Sequence, residues 1–594
     1  MDTLLTAENR TGKPVDVNNV IKTTVTVLTL IGAVLTGVYA YRKQLLAEGD
    51  SHRADASQLA DRYSTAAEQM GHEQAAVRLA GVYAMARLAD DWPEQRQVCI
   101  DVLCAYLRMP YEPDPTATGF KAGEREVRLT IIRSIRDHLQ DPMAPTTWCG
   151  RSLDFTGATF DGGDFHGARF TGGAVSFDDT RFTGSTVAFD GVQITDSMVT
   201  FNRAQFTSGT VAFDGAQFTR GTVRFDGAQF TGSMVRFDGV QFTGSMVTFD
   251  KAQFTNGTVT YNYAQFIDGK VAFSSAQFIG GEVAFGNTQF TNSMAFFAGA
   301  QFIGGEVAFG SAQFIGGEVY FHGAQFTGGT VRFDRVQFHG GEVYFNDARF
   351  TGSTVTFYLA HFASGTVQFN CAQFTRGTVH FNHAKFSGGT VHFDDVQFDG
   401  GTASFGGVLF DGGTASFHGA EYTGGTVDFN RAQFDGGTVH FNDALFTDGT
   451  VEFRDAQFTG GEVSFGDALF DGGTVFFDDA QFDGSAVDFN NAQFTGGTVT
   501  FRNAQFTYGT VIFDGVELDG GVVGFIDAQF DGGTVEFSNV EFTDGEVSFH
   551  SAEYTDGTVT FNGVRVESAA DIDWGPFPAM RPSTPRPVDL QHQV

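Results

Sequence analysis

From Leu153 to Val566 the chain repeats every twelve residues, close to A-Q-F-T-G-G-T-V-x-F-D-G. No other feature restricts the fold as much. An aromatic residue stands at 165 and at every twelfth position through Phe561. These are 34 positions, 33 of them Phe, with Tyr261 as the exception. A second ladder begins at Phe170 with the same spacing, and Ile194, Tyr422, Leu518, Tyr554 and Val566 replace Phe in it.

Within a unit the spacing is uneven. Phe225 is followed by Phe230 and then by Phe237, and a smaller apolar residue precedes each large one by two positions: Val223, Ala228 and Val235. That pairing is the period of an extended strand, with both side chains on one face. Arg224 and Gln229, between the pairs, then point outward. Asp226-Gly227 and Gly232-Ser233 supply corners, because Asp and Gly tolerate the backbone angles that turns need. Antiparallel hairpins also use short strands and Gly pairs, but they do not require identical residues at a fixed period. A coiled solenoid does, because equivalent side chains stack rung on rung.

The first units carry a resemblance. Leu153-Asp154-Phe155, Ala158-Thr159-Phe160, Asp164-Phe165 and Ala168-Arg169-Phe170 repeat every five residues, with Gly163 at one of the small positions. This resembles the pentapeptide-repeat family, and the resemblance implies a right-handed, four-sided parallel β-helix. After Phe170 every second pentapeptide gains two residues, usually in a T-G-G-T or D-G-G-T corner. Four sides of 5, 7, 5 and 7 residues close a rung of 24; a flattened rung of twelve is the alternative. At about 4.8 Å per rung these give stacks of roughly 80 Å and 160 Å. The run of pure fives at its start favours 24.

Before the repeat the sequence reads as a polar leader (1–22), a transmembrane helix (23–41) and a helical linker and N-terminal cap (44–145). The nineteen residues Thr23 to Tyr41 carry no charge, follow Lys22 and precede Arg42-Lys43. Such a helix is about 28 Å long, near the hydrocarbon thickness of a bilayer. A cleaved signal peptide and a soluble helix are the competing readings. Arg10, Lys13 and Lys22 on one side nearly balance Arg42, Lys43 and Arg53 on the other. The adjacent Arg42-Lys43 pair leans toward a cytoplasmic C-terminal bulk. Gln44 to Met70, 77–88, Val98 to Leu107 and Glu124 to Leu139 have helical patterning, with Trp92-Pro93, Pro110 and Pro142 as exits. The stretches V-R-L-A-G-V-Y-A-M-A-R-L-A and C-A-Y-L-R are similar to the HEAT-like helical pair before the repeats of membrane-anchored actinobacterial pentapeptide proteins. The helices are suited to covering the open edge of the first rung. The solenoid is taken as 151–566. A cap at 567–575 and a Pro-rich tail at 576–594 complete the division; Trp574, with Phe577 just beyond the cap, is expected to fold over the last rung.

The net charge is −34. Residues 1–150 hold 16 Lys/Arg and 19 Asp/Glu, whereas the remainder holds 20 and 51. An acidity of this size argues against direct nucleic-acid binding and suits a basic protein partner, bound cations or simple solubility.

Candidate chemistry is sparse. Asp394-Asp395 and Asp478-Asp479 are corner residues, where Asp is an ordinary turn former. His380, His392 and His440 occupy the outward position of V-x-F strands, with His383 near the first. His380 and His392 line up only if rungs have twelve residues; in a rung of 24 they lie on different sides. D-G-G corners lack the spacing of calcium-loaded β-rolls. Thr207, Thr219, Thr231 and Thr243, with Thr210 and Thr222, form ladders of the kind that order ice, but Arg220, Arg376 and Asp448 interrupt them. Cys99, Cys104, Cys149 and Cys371 have neither a disulfide framework nor metal spacing. No catalytic, cofactor-binding or metal residue is assigned, and no cofactor is expected. The expectation is a non-enzymatic, membrane-tethered binding or scaffold solenoid. Soluble family members that resemble duplex DNA and protect DNA gyrase define a second possibility, and an enzyme with a site near Trp148, at the helical cap, a third.

Overall fold

A computed structural model describes residues 16–184, 186–566, 571–573 and 575–576. The chain divides into two compact units, residues 1–99 and 100–594.

In the first unit, helix α1 (Val17–Met70) is continuous for 54 residues. Asp16 caps its start by accepting the Asn18 N–H at 3.0 Å. The helix starts before the expected leader ends, so residues 17–22 are helical; residues 1–15 lie outside the described residues. Residues 17–44 form the helix long and apolar enough to cross a membrane, and none of that apolar window is buried. Its hydroxyls turn inward: Thr23, Thr24, Thr26, Thr29 and Thr36 each donate to the carbonyl four residues back, at 2.7–2.8 Å. This back-bonding gives each hydroxyl a partner within the helix itself. Helix α2 (Ala75–Asp91) returns along the end of α1. Gly81 permits the approach, since a β-carbon there would meet the Met70 nitrogen at 2.7 Å. Arg62 and Asp91 pair at 2.7 Å across the two helices.

In the second unit, helix α3 (Arg96–Arg108), which begins within the first, leads to helix α4 (Glu124–His138) and then to the solenoid. All strand pairings in the solenoid ladder are parallel and mostly in register, and the turn is 24 residues: Val223 pairs with Val247, Phe230 with Phe254, Val235 with Val259 and Phe242 with Phe266. The rung has four faces, represented by Thr222–Arg224, Gln229–Thr231, Met234–Arg236 and Gln241–Thr243. They are called the first to fourth faces below. The first turn is shorter. Leu153 pairs with Val175 and Phe160 with Phe182, 22 residues apart, because only one of its corners carries the two-residue insertion. About 17 turns follow one another. At Glu517–Gly524 and Glu541–Ser548 single strands run through the corner between the second and third faces, joining them at the distal end.

Alternate twelve-residue units therefore fall on opposite sides of one rung, and the two sequence ladders become four stacks of rings. Phe201 lies on Phe225 at 4.6 Å, Phe206 on Phe230 at 4.6 Å, Phe213 on Phe237 at 4.8 Å and Phe218 on Phe242 at 4.7 Å. The opposed stacks meet edge to face, as between Phe213 and Phe225 at 6.4 Å and 88°. Stacked and T-shaped contacts together let the ring quadrupoles pack without repulsion. Tyr261 and Tyr422 occupy the same wholly buried positions.

Of the distal cap, only 571–573 and 575 are described. Residues 571–573 form a strand that pairs with 546–548. Trp574, Phe577 and the Pro-rich tail beyond 576 lie outside the described residues.

Candidate functional site

The corners explain the acidic pairs. At many corners an Asp or Asn after the V-x-F aromatic accepts a backbone N–H from the equivalent residue one turn on, whereas Asp428 and Asp488, each just before its aromatic, accept from the residue two positions on. Asp178 accepts from Asn202 at 2.8 Å, Asp238 from Asn262 at 2.8 Å, Asp250 from Ser274 at 2.9 Å and Asn430 from Arg454 at 2.9 Å. Asp478 accepts from Arg502 in the same way at 3.2 Å and from the Thr500 hydroxyl at 2.6 Å. Asp394 takes hydrogen bonds from Ser416 and lies 3.3 Å from His392. Burial pushes its pKa up, but these hydrogen bonds outweigh burial and hold it below the ordinary value. The next residue of each pair has left-handed backbone: φ is +55° at Asp395 and +60° at Asp479. The pairs are thus a rung-to-rung tie and a corner.

The histidines separate as the 24-residue turn requires. His380 is on the third face, beside Ser404; His392 and His440 are on the first, each beside Ser416. His383 is a left-handed corner residue with φ +57°. Among the described residues no group of three or more His, Cys, Asp and Glu is placed to hold a metal ion. The threonine rows are also divided between faces: Thr207 stacks with Thr231 on the second and Thr219 with Thr243 on the fourth. Met234 follows Thr210 on the third face and Met198 precedes Thr222 on the first, so neither row continues flat.

Within the second unit α4 lies on the first turn. A β-carbon at Gly163 would come within 3.2 Å of Ile132, and Arg125 pairs with Asp161 at 3.1 Å. Arg136 reaches Asp164, and Arg108 at the end of α3 reaches Asp154. Behind them Arg128 is buried, bonded to Glu124 at 3.1 Å and to the carbonyls of Leu107 and Met109 at 2.8 and 2.7 Å. Its guanidinium also lies 4.4 Å from the Tyr111 ring. Trp148, the suggested centre of an enzymatic site, is fully buried and stacked on His138 at 4.2 Å. A partly open cavity between α4 and the first turn, lined by Tyr111, Arg128, Ile132 and Phe160, measures about 10 Å³, and a shallower open cleft of about 430 Å³ lies beside it at Arg125, Arg133 and Gly163. The smaller cavity has room for a single water.

The outward surface has a division that the bulk charge conceals. Residues 151–390 carry 14 Lys/Arg against 18 Asp/Glu; residues 391–566 carry 4 against 29. The early acids are matched by bases one turn on: Arg203 with Asp179 at 2.7 Å, Arg220 with Asp196 at 2.8 Å and Arg236 with Asp214. Farther along, the row at the end of the fourth face presents exposed Asp411, Asp435, Asp483 and Asp531, with Asp411 and Asp435 directly paired across the ladder. A count over windows of the sequence would have found this polarity; a single total does not.

A search of curated proteins finds no match. Among solved structures, QnrB1, a plasmid-mediated fluoroquinolone resistance protein, aligns at 12% identity over 40% of this chain and 83% of its own, with a TM-score of 0.15. The alginate lyase AlyF-OU02, in complex with G6, aligns at 11% identity over 75% of this chain and 85% of its own, with a TM-score of 0.17. Scores this low carry no structural or functional argument. The family model "Pentapeptide repeats (9 copies)" matches residues 155–205, the stretch where the spacing changes from pure fives to the widened corner.

Proposed function

We propose that the chain is a non-enzymatic, membrane-tethered solenoid whose distal surface, residues 391–566, binds a basic protein partner. The observation that carries this reading is the ratio of 4 basic to 29 acidic side chains there. Stacked repeats offer a long, regular surface suited to recognition without a pocket. Exposed carboxylates on adjacent turns are about 4.8 Å apart, inside the screening length at physiological salt, so their fields add. The apolar start of α1 supplies the tether, and the adjacent Arg42-Lys43 pair favours a cytoplasmic solenoid.

Capture from native cytoplasm by the full-length chain in detergent tests the reading. Basic proteins should be retained at low salt, released at moderate salt, and lost from a variant in which Asp411, Asp435, Asp483 and Asp531 are changed to Asn. Retention of no basic protein leaves the acidity as a solubility device and ends the proposal. Retention of gyrase subunits in preference to others would replace it with the DNA-mimic reading. Extraction with alkaline carbonate tests the tether: the uncleaved chain should stay with the membrane pellet, and its release would show that 23–41 does not span.

A further inference from the structure

Turns 294–344 carry an aromatic stack on the outside of the solenoid as well as within it. Phe296, Tyr320 and Tyr344 occupy the outward position of the first face. Their rings stack at 4.9 Å and 4°, then at 4.9 Å and 7°. All three are half-buried. The position two residues before each ring is Met294, Glu318 or Glu342, and these also align across the ladder. Tyr320 donates its hydroxyl to Oε2 of Glu318, and Tyr344 does the same to Oε2 of Glu342. Each tyrosine holds Oε2 of its glutamate; among the described residues neither Oε1 has a hydrogen-bond partner, and both glutamates are half-buried.

Glu318 and Glu342 are paired directly, an arrangement that is unfavourable between like charges. The same arrangement occurs on the third face, where Glu282 pairs with Glu306. There Arg332, from the following turn, reaches Glu306 at 3.1 Å. On the first face no Lys or Arg forms an ion pair with Glu318 or Glu342 among the described residues. Lys270 is in the same row, but two turns earlier and beyond Met294. Exposed Ile315, at the end of the adjoining fourth face, adds apolar surface three residues before Glu318.

We propose that the first face at Phe296, Tyr320 and Tyr344 docks an arginine-bearing segment of a partner protein, with its guanidinium on the free oxygens of Glu318 and Glu342. This rests on the reading that the solenoid binds a basic protein and names where that protein is anchored. Arginine suits the place better than lysine. Its planar fork spans two carboxylate oxygens, and its stem and guanidinium pack against aromatic rings. The protein has its own instance of the latter contact on the third face, where the Arg454 guanidinium lies 4.1 Å from the outward ring of Phe476. The anchor and the acidic row share an edge of the rod, because Ile267, Thr291, Ile315 and His339 belong to the row that continues to Asp411 and Asp435. A basic partner lying along that edge meets an aromatic clamp at one end and a carboxylate field at the other.

The test uses full-length chain in detergent and two fluorescein-labelled probe peptides of identical length, one alternating Arg with Gly and one alternating Lys with Gly. The Arg peptide should bind at least about threefold tighter than the Lys peptide. The paired substitution Glu318→Gln and Glu342→Gln should weaken the Arg peptide about tenfold and remove its preference over Lys. Asn at Asp411, Asp435, Asp483 and Asp531 should weaken both peptides alike and keep the preference. Loss of binding in the distal variant together with no change in the Gln variant overturns the anchor but keeps the acidic surface as the binding region. Equal binding of the two peptides to the wild-type chain also overturns the anchor. Failure of both peptides to bind removes both readings.

Discussion

At the scale of single residues the inward and outward positions separate sharply. Phe333 is fully buried, stacked on Phe309 at 4.7 Å and Phe357 at 4.8 Å and edge-on to Phe321 and Phe345. Phe333→Ala should cost about 3–5 kcal/mol, because the neighbouring rings cannot close the cavity without breaking their own stacks. Arg332, one residue earlier, is half exposed and holds a single ion pair, so Arg332→Ala should cost at most about 0.5–1 kcal/mol. Hydrogen exchange of the surrounding turns measures both; equal protection losses would show the inward face to be misassigned. Two backbone positions are equally specific. Gly437 sits where a β-carbon would meet Phe410 Cβ at 2.5 Å, so Gly437→Ala should loosen that corner by about 1–3 kcal/mol. Leu359 has left-handed backbone at φ +56° and is exposed, so Leu359→Gly should stabilise its turn by up to about 1 kcal/mol. A lower urea midpoint for the Leu359→Gly variant would contradict that assignment.

At the scale of elements the strands were legible because their chemistry is local. A branched residue two before a Phe, then Asp or Asn and a left-handed corner, specifies strand and turn from a few neighbours. The helices were legible for similar reasons, and α2, α3 and α4 begin or end within two or three residues of the Pro and periodicity signals. The number of residues per rung was harder. Odd and even repeat units have the same consensus, so periodicity alone is the same for a rung of twelve and a rung of 24. Only the 22-residue first turn, with its pure fives, carries the distinction in its spacing. The role of the corner carboxylates was hidden for a different reason: an Asp that accepts a backbone N–H from 24 residues later is indistinguishable in sequence from an Asp that faces a partner. The outward stack at Phe296, Tyr320 and Tyr344 was also unread, because it is an alignment across turns whose length was open. The cap makes an element-scale prediction. Ile132→Asp would place a carboxylate against Gly163 and should unzip the first turn selectively, seen as faster exchange at 153–165 with the turns beyond 300 unaffected. Uniform loss through all turns would mean that the solenoid folds as one cooperative block.

At the scale of the whole molecule charge sets the response to solution conditions. Burial raises the pKa of Asp214, Asp250 and Asp488 above the ordinary 3.8. For these groups the folded state favours the protonated form, so their contribution is fully present below the unfolded value and is lost as pH rises through the folded value. Hydrogen bonds from Arg203 and Arg220 lower Asp179 and Asp196, and at Asp154 the bonds from Thr156 and Arg108 outweigh burial. Their contribution is present above 3.8 and is lost as pH falls through their lowered values. The melting temperature should therefore rise on acidification from about pH 7 to about pH 4, helped by relief of repulsion among the distal carboxylates, and fall below about pH 3.5. A monotonic fall from neutral pH would mean that the acidic ties outweigh the buried raised groups. The distal half of the solenoid is proposed to recognise a basic partner through its summed field. The most direct test is the affinity of the captured partner for the full-length chain across a salt series, compared with the chain carrying Asn at Asp411, Asp435, Asp483 and Asp531. Affinity should fall steeply with salt in the wild-type chain and show a weaker, flatter dependence in the variant; identical slopes and affinities for the two would contradict recognition through that field.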